Sequence, residues 1–267
     1  QALAVYNRPV SPAAIDYLLQ PHLPSIDSAL VLNRLVYMHF ARREAGRYYL
    51  HPADKEYAFS LIVNREQRIE NSESTTPPTT NLQSLVSNNL SFTQHDLLTR
   101  AADYFAQARK PRAEWKKLED LSAQLSEFEL RCAAGDYDTA ASVLLEIDFE
   151  YLLLWGHYRL MIDLHDKLQG KITDIELKRI SIANLGTANK QIGKIQDAIK
   201  FYTQALELAR ENNSRQNECA ALGGLGNCYG DLGDARKAIE FLEQALPITR
   251  EIGDRRNEGT CLNNIGV

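Results

Sequence analysis

Five glycines fall within the thirteen residues GGLGNCYGDLGDA at 223–235. Glycine at that density invites comparison with loops that hold a phosphate. A Walker loop needs G-x-x-x-x-G-K-[ST], in which backbone N–H groups and a lysine surround the phosphates; no lysine follows a suitably placed glycine here. The dinucleotide fingerprint G-x-G-x-x-G fails as well, because Gly224 and Gly226 are followed by Gly230, one position too late. A second constellation is His157, Met161 and His165, four residues apart on one helical face, with Asp166 beside the second histidine. A metal there would need further ligands brought from elsewhere, so these histidines read as packed or surface residues. The cysteines, Cys132, Cys219, Cys228 and Cys261, lack metal-site spacing and read as reduced, partly buried thiols of a cytoplasmic protein. No Ser/His/Asp or Cys/His arrangement has a local motif behind it. The expectation is that this stretch of chain carries no catalytic residue, no metal and no cofactor of its own.

The glycines find their explanation in self-similarity. NLGTANKQIGKIQDAIKFYTQALELAR (184–210) aligns with GLGNCYGDLGDARKAIEFLEQALPITR (224–250) at a constant offset of forty residues. Leu185 falls on Leu225, Gly186 on Gly226, Gly193 on Gly233, Ala198 on Ala238 and Ala205 on Ala245. A third copy begins at Asn264-Ile265-Gly266. Each copy reads as two helices. Gly193 and Gly233 stand between them, where a residue free to take positive φ ends the first. Gly186, Gly226, Ala198 and Ala238 are small because paired helices must approach there. Leu185, Ile199, Tyr202 and Leu206 recur at helical spacing as the buried stripe.

This pattern resembles the tetratricopeptide repeat. Its signature of small residue, large apolar or aromatic residue and alanine appears as Gly186, Ala198, Tyr202 and Ala205, then Gly226, Ala238, Leu242 and Ala245. The forty-residue period is similar to the long variant of kinesin light chains and related adaptors, and Pro247 inside a second helix predicts a kink. The resemblance implies a concave groove that binds a protein or peptide. It makes Asn184, Asn227 and Asn264 candidates for lining that groove; the alternative is that they cap or bridge neighbouring helices.

Residues 1–70 have a different character. SPAAIDYLLQ (11–20) starts a helix at Ser11-Pro12, and SIDSALVLNRLVYMH gives a second with Ala29, Leu32, Leu35 and Val36 on one face. YMHFARREAGRYYLHP predicts a hairpin turning at Ala45-Gly46, and PADKEYAFSLI returns to helix. Two helices and a hairpin wing suggest a winged helix-turn-helix. Arg42, Arg43 and Arg47 lie on the wing, but the second helix offers only Arg34 among apolar residues. Eight Lys or Arg against seven Asp or Glu over 1–70 leave no basic face for DNA.

The run ALVLNRLVYMHFARREAGRYYLHPADKEYAFSLI looks like the winged-helix module of STAND signalling ATPases, the NB-ARC or AP-ATPase group. In that group a Met-His-Asp motif follows the wing, and its histidine touches the β-phosphate of ADP held by a neighbouring domain. Leu50-His51-Pro52 occupies the matching place, so His51 carries over as a nucleotide sensor; Pro52 stands where the aspartate would be. The resemblance implies an upstream P-loop domain binding ADP or ATP, an ATPase activity belonging to the longer protein, and oligomerisation on activation, in settings such as bacterial defence.

The expected fold is therefore mainly α: a winged helix-turn-helix over 1–70, an exposed linker over 71–91, degenerate helix pairs over 92–179, and a right-handed tetratricopeptide solenoid over 180–267. DFEYLLLWGHYRLMIDLHDKLQG (148–170) also resembles a segment between winged helix and repeats in bacterial STAND proteins, and Trp115 and Trp155 read as core anchors. The chain begins at Gln1 and stops within a repeat, which suggests a fragment. A net charge of −5 over 267 residues gives no general field for nucleic acid or anionic membrane. The function implied is the sensing and regulatory portion of a STAND ATPase, with a protein or peptide trigger on the repeats and the winged helix relaying to an intramolecular nucleotide-binding domain. Two alternatives stay open: a winged-helix DNA-binding regulator with a tetratricopeptide effector region, and a plain adaptor.

Overall fold

The computed structural model describes residues 2–6, 8–21, 23, 27–58 and 93–266. The linker expected over 71–91 lies outside them. The chain divides into two compact units, Gln1–Asp136 and Tyr137–Val267, and each is built differently.

In the first unit a 3-10 turn, Ala2–Val5, leads into helix α1, Pro12–Leu19. Proline suits the first turn of a helix because its missing N–H has no partner there anyway. Ser11 stands at the N-cap but does not cap; its hydroxyl pairs with the Tyr104 hydroxyl at 3.2 Å instead. Helix α2, Ser28–Tyr37, is capped by Asp27, whose Oδ1 accepts from the Leu30 N–H. Strands β1 (Arg42–Glu44) and β2 (Arg47–Tyr49) form the expected antiparallel hairpin. Ala45 and Gly46 both take positive φ, 47° and 77°, the twist that a two-residue hairpin turn demands. The strands start at Arg42, later than the sequence suggested, because α2 keeps Tyr37 and the chain reverses at His39 with φ 61°.

Tyr48 is the residue that ties the hairpin down. Its ring is fully buried, its hydroxyl donates to Asn33 at 2.7 Å, and its backbone exchanges both hydrogen bonds with Val10. A helical run over 52–58 follows. Helix α3, Gln94–Gln107, opens with a reciprocal capping box between Thr93 and Asp96. It packs Leu97, Leu98, Ala101 and Ala102 into the same core as Leu18, Leu32 and Tyr48. The segment AEWKKLED forms 3-10 turns rather than an α-helix, with buried Trp115 donating to the Lys110 carbonyl at 2.9 Å. Helix α4, Ser122–Ala134, then ends on Gly135 in the left-handed conformation.

The second unit begins with α5 (Tyr137–Leu145), a π-helical turn (Asp148–Leu153) and α6 (Tyr158–Leu168). Five further helices follow: α7 (Ile175–Gln191), α8 (Ile195–Glu211), α9 (Arg215–Asp231), α10 (Ala235–Glu251) and α11 (Arg255–Ile265). Each packs on the next, giving a solenoid-like stack of helix pairs. Gly193 and Gly233 follow α7 and α9 with φ 79° and 77°, as their position between helices required. Helix α10 continues through Pro247 to Glu251 without a break. Trp155 is only half-buried, edge-on to Tyr151, and so does not anchor the core as expected.

Candidate functional site

What spaces the stacked helices is one aromatic key. Tyr202, on α8, is 7% exposed and lies between α7 and α9. A Cβ built on Gly186 would stand 3.1 Å from its ring, and one built on Gly224 only 2.6 Å away. Glycine on both flanking helices is thus the condition for a tyrosine at this depth. The Tyr202 hydroxyl meets Thr187 Oγ1 at 2.9 Å, and burial pushes the phenol up to about 12. Forty residues on, Leu242 takes the place of Tyr202 and Gly226 that of Gly186, with a Cβ there 2.8 Å from Leu242 Cγ. The position after that, equivalent to Gly224, is Asn264. A shorter key tolerates a side chain where the tyrosine does not.

The three asparagines singled out by the sequence part company. Asn227 and Asn264 are both exposed, and the Asn264 amide donates to Asn227 Oδ1 at 3.1 Å, bridging α9 and α11. Asn184 is half-buried and donates to Asp148 Oδ2 at 2.6 Å. That carboxylate also takes His165 Nε2 at 3.0 Å, while His165 Nδ1 lies 2.8 Å from Ser181 Oγ. A carboxylate only accepts, so in the neutral ring Nε2 carries the proton and Ser181 donates to Nδ1. Asp148, His165 and Ser181 are 1%, 0% and 3% exposed. This row joins the π-helical turn, α6 and α7 through polar atoms that satisfy one another, as buried polar groups must. The sequence drew attention to Asp166 beside His165; the partner is Asp148, seventeen residues earlier. Met161 packs at 0% exposure on the same helix. Among the described residues no His, Cys, Asp and Glu cluster could hold a metal ion. Cys219, Cys228 and Cys261 are buried free thiols, and burial pushes the first two up to about 11.

At the outer ends of the pairs a second feature iterates. Arg210 Nε and Arg215 Nη1 both bond Glu218, at 2.9 and 2.7 Å, and Arg215 Nη2 reaches Glu251 at 2.7 Å. Forty residues later Arg250 and Arg255 hold Glu258 in the same way. Each clasp fastens the end of one pair to the start of the next.

With that geometry in place, the comparison with known families is decisive for the stack. The tetratricopeptide repeat family matches residues 178–251 and 217–267. The second unit carries tetratricopeptide repeats. No curated protein matches the chain. Similar solved structures include aspartyl phosphate phosphatase F from Bacillus subtilis, at 12% identity and a TM-score of 0.49, over 99% of this chain and 67% of that one. BtubC from P. vanneervenii aligns at 18% identity and a TM-score of 0.36, over 66% of this chain and 65% of that one. A STAND protein with a tetratricopeptide repeat sensor from Pyrococcus horikoshii aligns at 12% identity and a TM-score of 0.36, over 98% of this chain and 52% of that one. The tetratricopeptide stack explains the glycines of 223–235: Gly224 and Gly226 admit keys, and Gly233 ends α9.

His51 belongs to the first unit. It is exposed, its carbonyl accepts from the Lys55 N–H, and its Nδ1 lies 3.4 Å from the Ala53 nitrogen, so it starts the helical run over 52–58. Nearby on the chain, α2 and its exit leave large apolar side chains in solvent: Leu30 at 73%, Tyr37 at 86% and Phe40 at 58% exposure. No helix among the described residues is long and apolar enough to cross a membrane.

Proposed function

We propose that this chain is the sensing and relay portion of a STAND-type signalling ATPase. The tetratricopeptide repeats take a protein or peptide trigger, and the first unit, acting as a winged helix, passes the event to a nucleotide-binding domain. The observation that carries the reading is the repeat stack over 178–267, since stacked helix pairs present an extended surface suited to a polypeptide. Asn227 and Asn264, exposed and paired with each other, offer amides to a bound backbone. In the first unit the outward face of α2 favours a protein over nucleic acid. A major-groove helix needs donors and cations aimed at bases and phosphates, whereas this face presents Leu30, Val31 and Tyr37 around Arg34. The chain itself performs no chemistry in this scheme; ADP or ATP belongs to the nucleotide domain, with His51 contacting the β-phosphate.

The test is ADP retention in the longer protein. His51→Ala should speed ADP release and raise basal signalling, because a positioned imidazole on a phosphate is a charge-assisted contact worth about 1.5–3 kcal/mol. Retention and signalling equal to wild type would remove His51 from the scheme. A two-state switch also requires the trigger to prefer the open form; about 5.5 kcal/mol of preference turns a 1:99 population into 99:1.

A further inference from the structure

The clasp that closes the later repeats is missing from the first, and a cavity stands in its place. At the forty-residue offset, Arg215 and Arg255 correspond to Ile175, and Glu218 and Glu258 to Lys178. The end of the preceding helix offers no arginine either; Leu168, Gln169 and Gly170 stand there, and Lys171 is turned away onto the Tyr137 ring at 4.7 Å. Yet two of the clasp's three acceptors survive. Glu211 occupies the place of Glu251, which takes Arg215, and Gln204 that of Gln244, whose Oε1 takes Arg210 at 3.3 Å. Both line a cavity of about 320 Å³ whose apolar wall is Leu168, Ile172, Ile182 and Leu208. Glu207 and Lys178 line it too. No hydrogen bond or ion pair engages the Glu207 or Glu211 carboxylate among the described residues.

We infer that this cavity receives an arginine side chain from a partner polypeptide, completing in trans the clasp that the later repeats make in cis. The pocket holds two carboxylates against one ammonium, so one added guanidinium brings it to neutrality. Glu211 and Gln204 offer a guanidinium the acceptors that Glu251 and Gln244 offer Arg215 and Arg210 in the next repeat. The methylene stem would cover Ile172, Ile182 and Leu208 while the head stays at the acidic rim. The site is separate from the asparagine face: Asn184, Asn227 and Asn264 do not line it, so it stands or falls independently of the trigger proposed for that face.

The experiment titrates the 267-residue chain with Nα-acetyl-arginine methylamide, followed by amide chemical shifts and calorimetry. Saturable binding with a Kd on the order of 1 mM is expected for so small a probe. Shifts should centre on residues 168–182 and 204–211, and the lysine analogue should bind at least about fivefold more weakly. Glu211→Gln should weaken the arginine probe about tenfold. The double variant Ile175→Arg/Lys178→Glu rebuilds the clasp inside the chain. It should raise Tm and abolish binding, which separates occupation of the pocket from misfolding. Asn227→Ala/Asn264→Ala should leave probe binding unchanged. Any of four results overturns the inference: no saturation by the arginine probe, equal binding of the lysine analogue, an unchanged Kd in Glu211→Gln, or binding that survives in the rebuilt clasp. Self-association of the chain that the rebuilt clasp abolishes would overturn the assignment to a partner in favour of a second copy.

Discussion

The two units solve the same problem, fixing helices at defined separations, by opposite means. In Gln1–Asp136 the long-range side-chain restraints among the described residues are individual. The Tyr6 hydroxyl donates to the Ala14 carbonyl, Arg100 Nε donates to the Tyr17 carbonyl while stacking on its ring, and Tyr48 bridges Val10 and Asn33. In Tyr137–Val267 restraints recur at forty residues: glycine against a key, glycine after a helix, arginine on glutamate. Iteration lets one contact type be read several times, and it makes departures from the pattern informative. Two departures stand at the first repeat, the Asp148–His165–Ser181–Asn184 row and the clasp replaced by a cavity. Both occur where the regular stack meets the irregular segment that precedes it.

If the buried row is what ends the irregular segment and starts the stack, its loss should destabilise the second unit strongly. His165→Ala removes a wholly buried ring and one of the three donors to the Asp148 carboxylate. Removing one partner from a buried acceptor costs about 1–3 kcal/mol and more for a charged one; about 3 kcal/mol is expected here, because the cavity adds to the lost bond while Asn184 and the Phe149 N–H still reach the carboxylate. Urea unfolding of the chain would measure it. The double variant Asp148→Asn/His165→Ala should recover a substantial part of the loss; if the double is as damaged as the sum of the singles, the row is not a coupled unit.

Next in size is the test of the key. Gly224→Ala places a methyl 2.6 Å from the Tyr202 ring. The gain in helix propensity, about 1 kcal/mol, is outweighed by overpacking, for a net loss of about 2 kcal/mol. Gly186→Ala, at 3.1 Å, should cost less. Tyr202→Leu should relieve most of the Gly224→Ala penalty, since the Leu242 repeat already tolerates Asn264. Additive costs in the double variant would refute the key-and-glycine account.

These two sites mark where the sequence was legible and where it was not. The helix pairs, the glycine stops and the Gly186 and Gly226 contacts were readable because a second copy vouched for each. Gly224 was not, because the residue forty earlier is Asn184 and no glycine repeats there. The His165 row was hidden for another reason: its members lie sixteen to nineteen residues from the histidine and are assembled by the turn of the chain at 148–153 and the packing of α7 on α6. In the first unit the hairpin was legible from Ala45-Gly46, but the roles of Ser11 and Tyr48 depend on partners that local pattern cannot supply. The cavity was accessible in principle; comparing polar positions across the copies, rather than apolar ones, exposes Ile175 and Lys178 as the odd pair.

Smaller again is the effect of one individual restraint in the first unit. Tyr6→Phe leaves the Ala14 carbonyl without its buried donor and should cost about 1 kcal/mol. The change should appear in the first unit's amide exchange and leave that of 175–265 untouched. Burial, reinforced by Tyr104, holds the Tyr6 phenol far above its ordinary range. A raised acid contributes stability below the unfolded value, about 10, and loses it as pH climbs further. Wild type should therefore weaken above about pH 10 more steeply than Tyr6→Phe; parallel profiles would show that the phenol is not the titrating group.

The gentlest probe addresses the clasps, where the later repeats differ from the first. Burial alone would lift Glu218, but the Arg210 and Arg215 hydrogen bonds outweigh it and leave the carboxyl below the usual range. Arg215 depresses Glu251, and Arg250 depresses Glu258. For a carboxyl lowered on folding, the contribution is complete above the unfolded value of about 4.3 and fades as pH falls through the folded one. Acidification below about pH 4 should therefore loosen residues 215–218 and 250–258 first. The corresponding edge of the first repeat has Lys178 in place of the half-buried glutamate and should respond less. Because both arginines are about half exposed, 51% and 45% for Arg210 and Arg215, 1 M salt should produce the same ordering by screening. Amide exchange of 175–182 and 215–222, compared at pH 3.5 and 6 and at low and high salt, measures both. Equal acid and salt sensitivity at the two edges would mean that the arginine–glutamate clasps add nothing to the stack beyond its apolar packing.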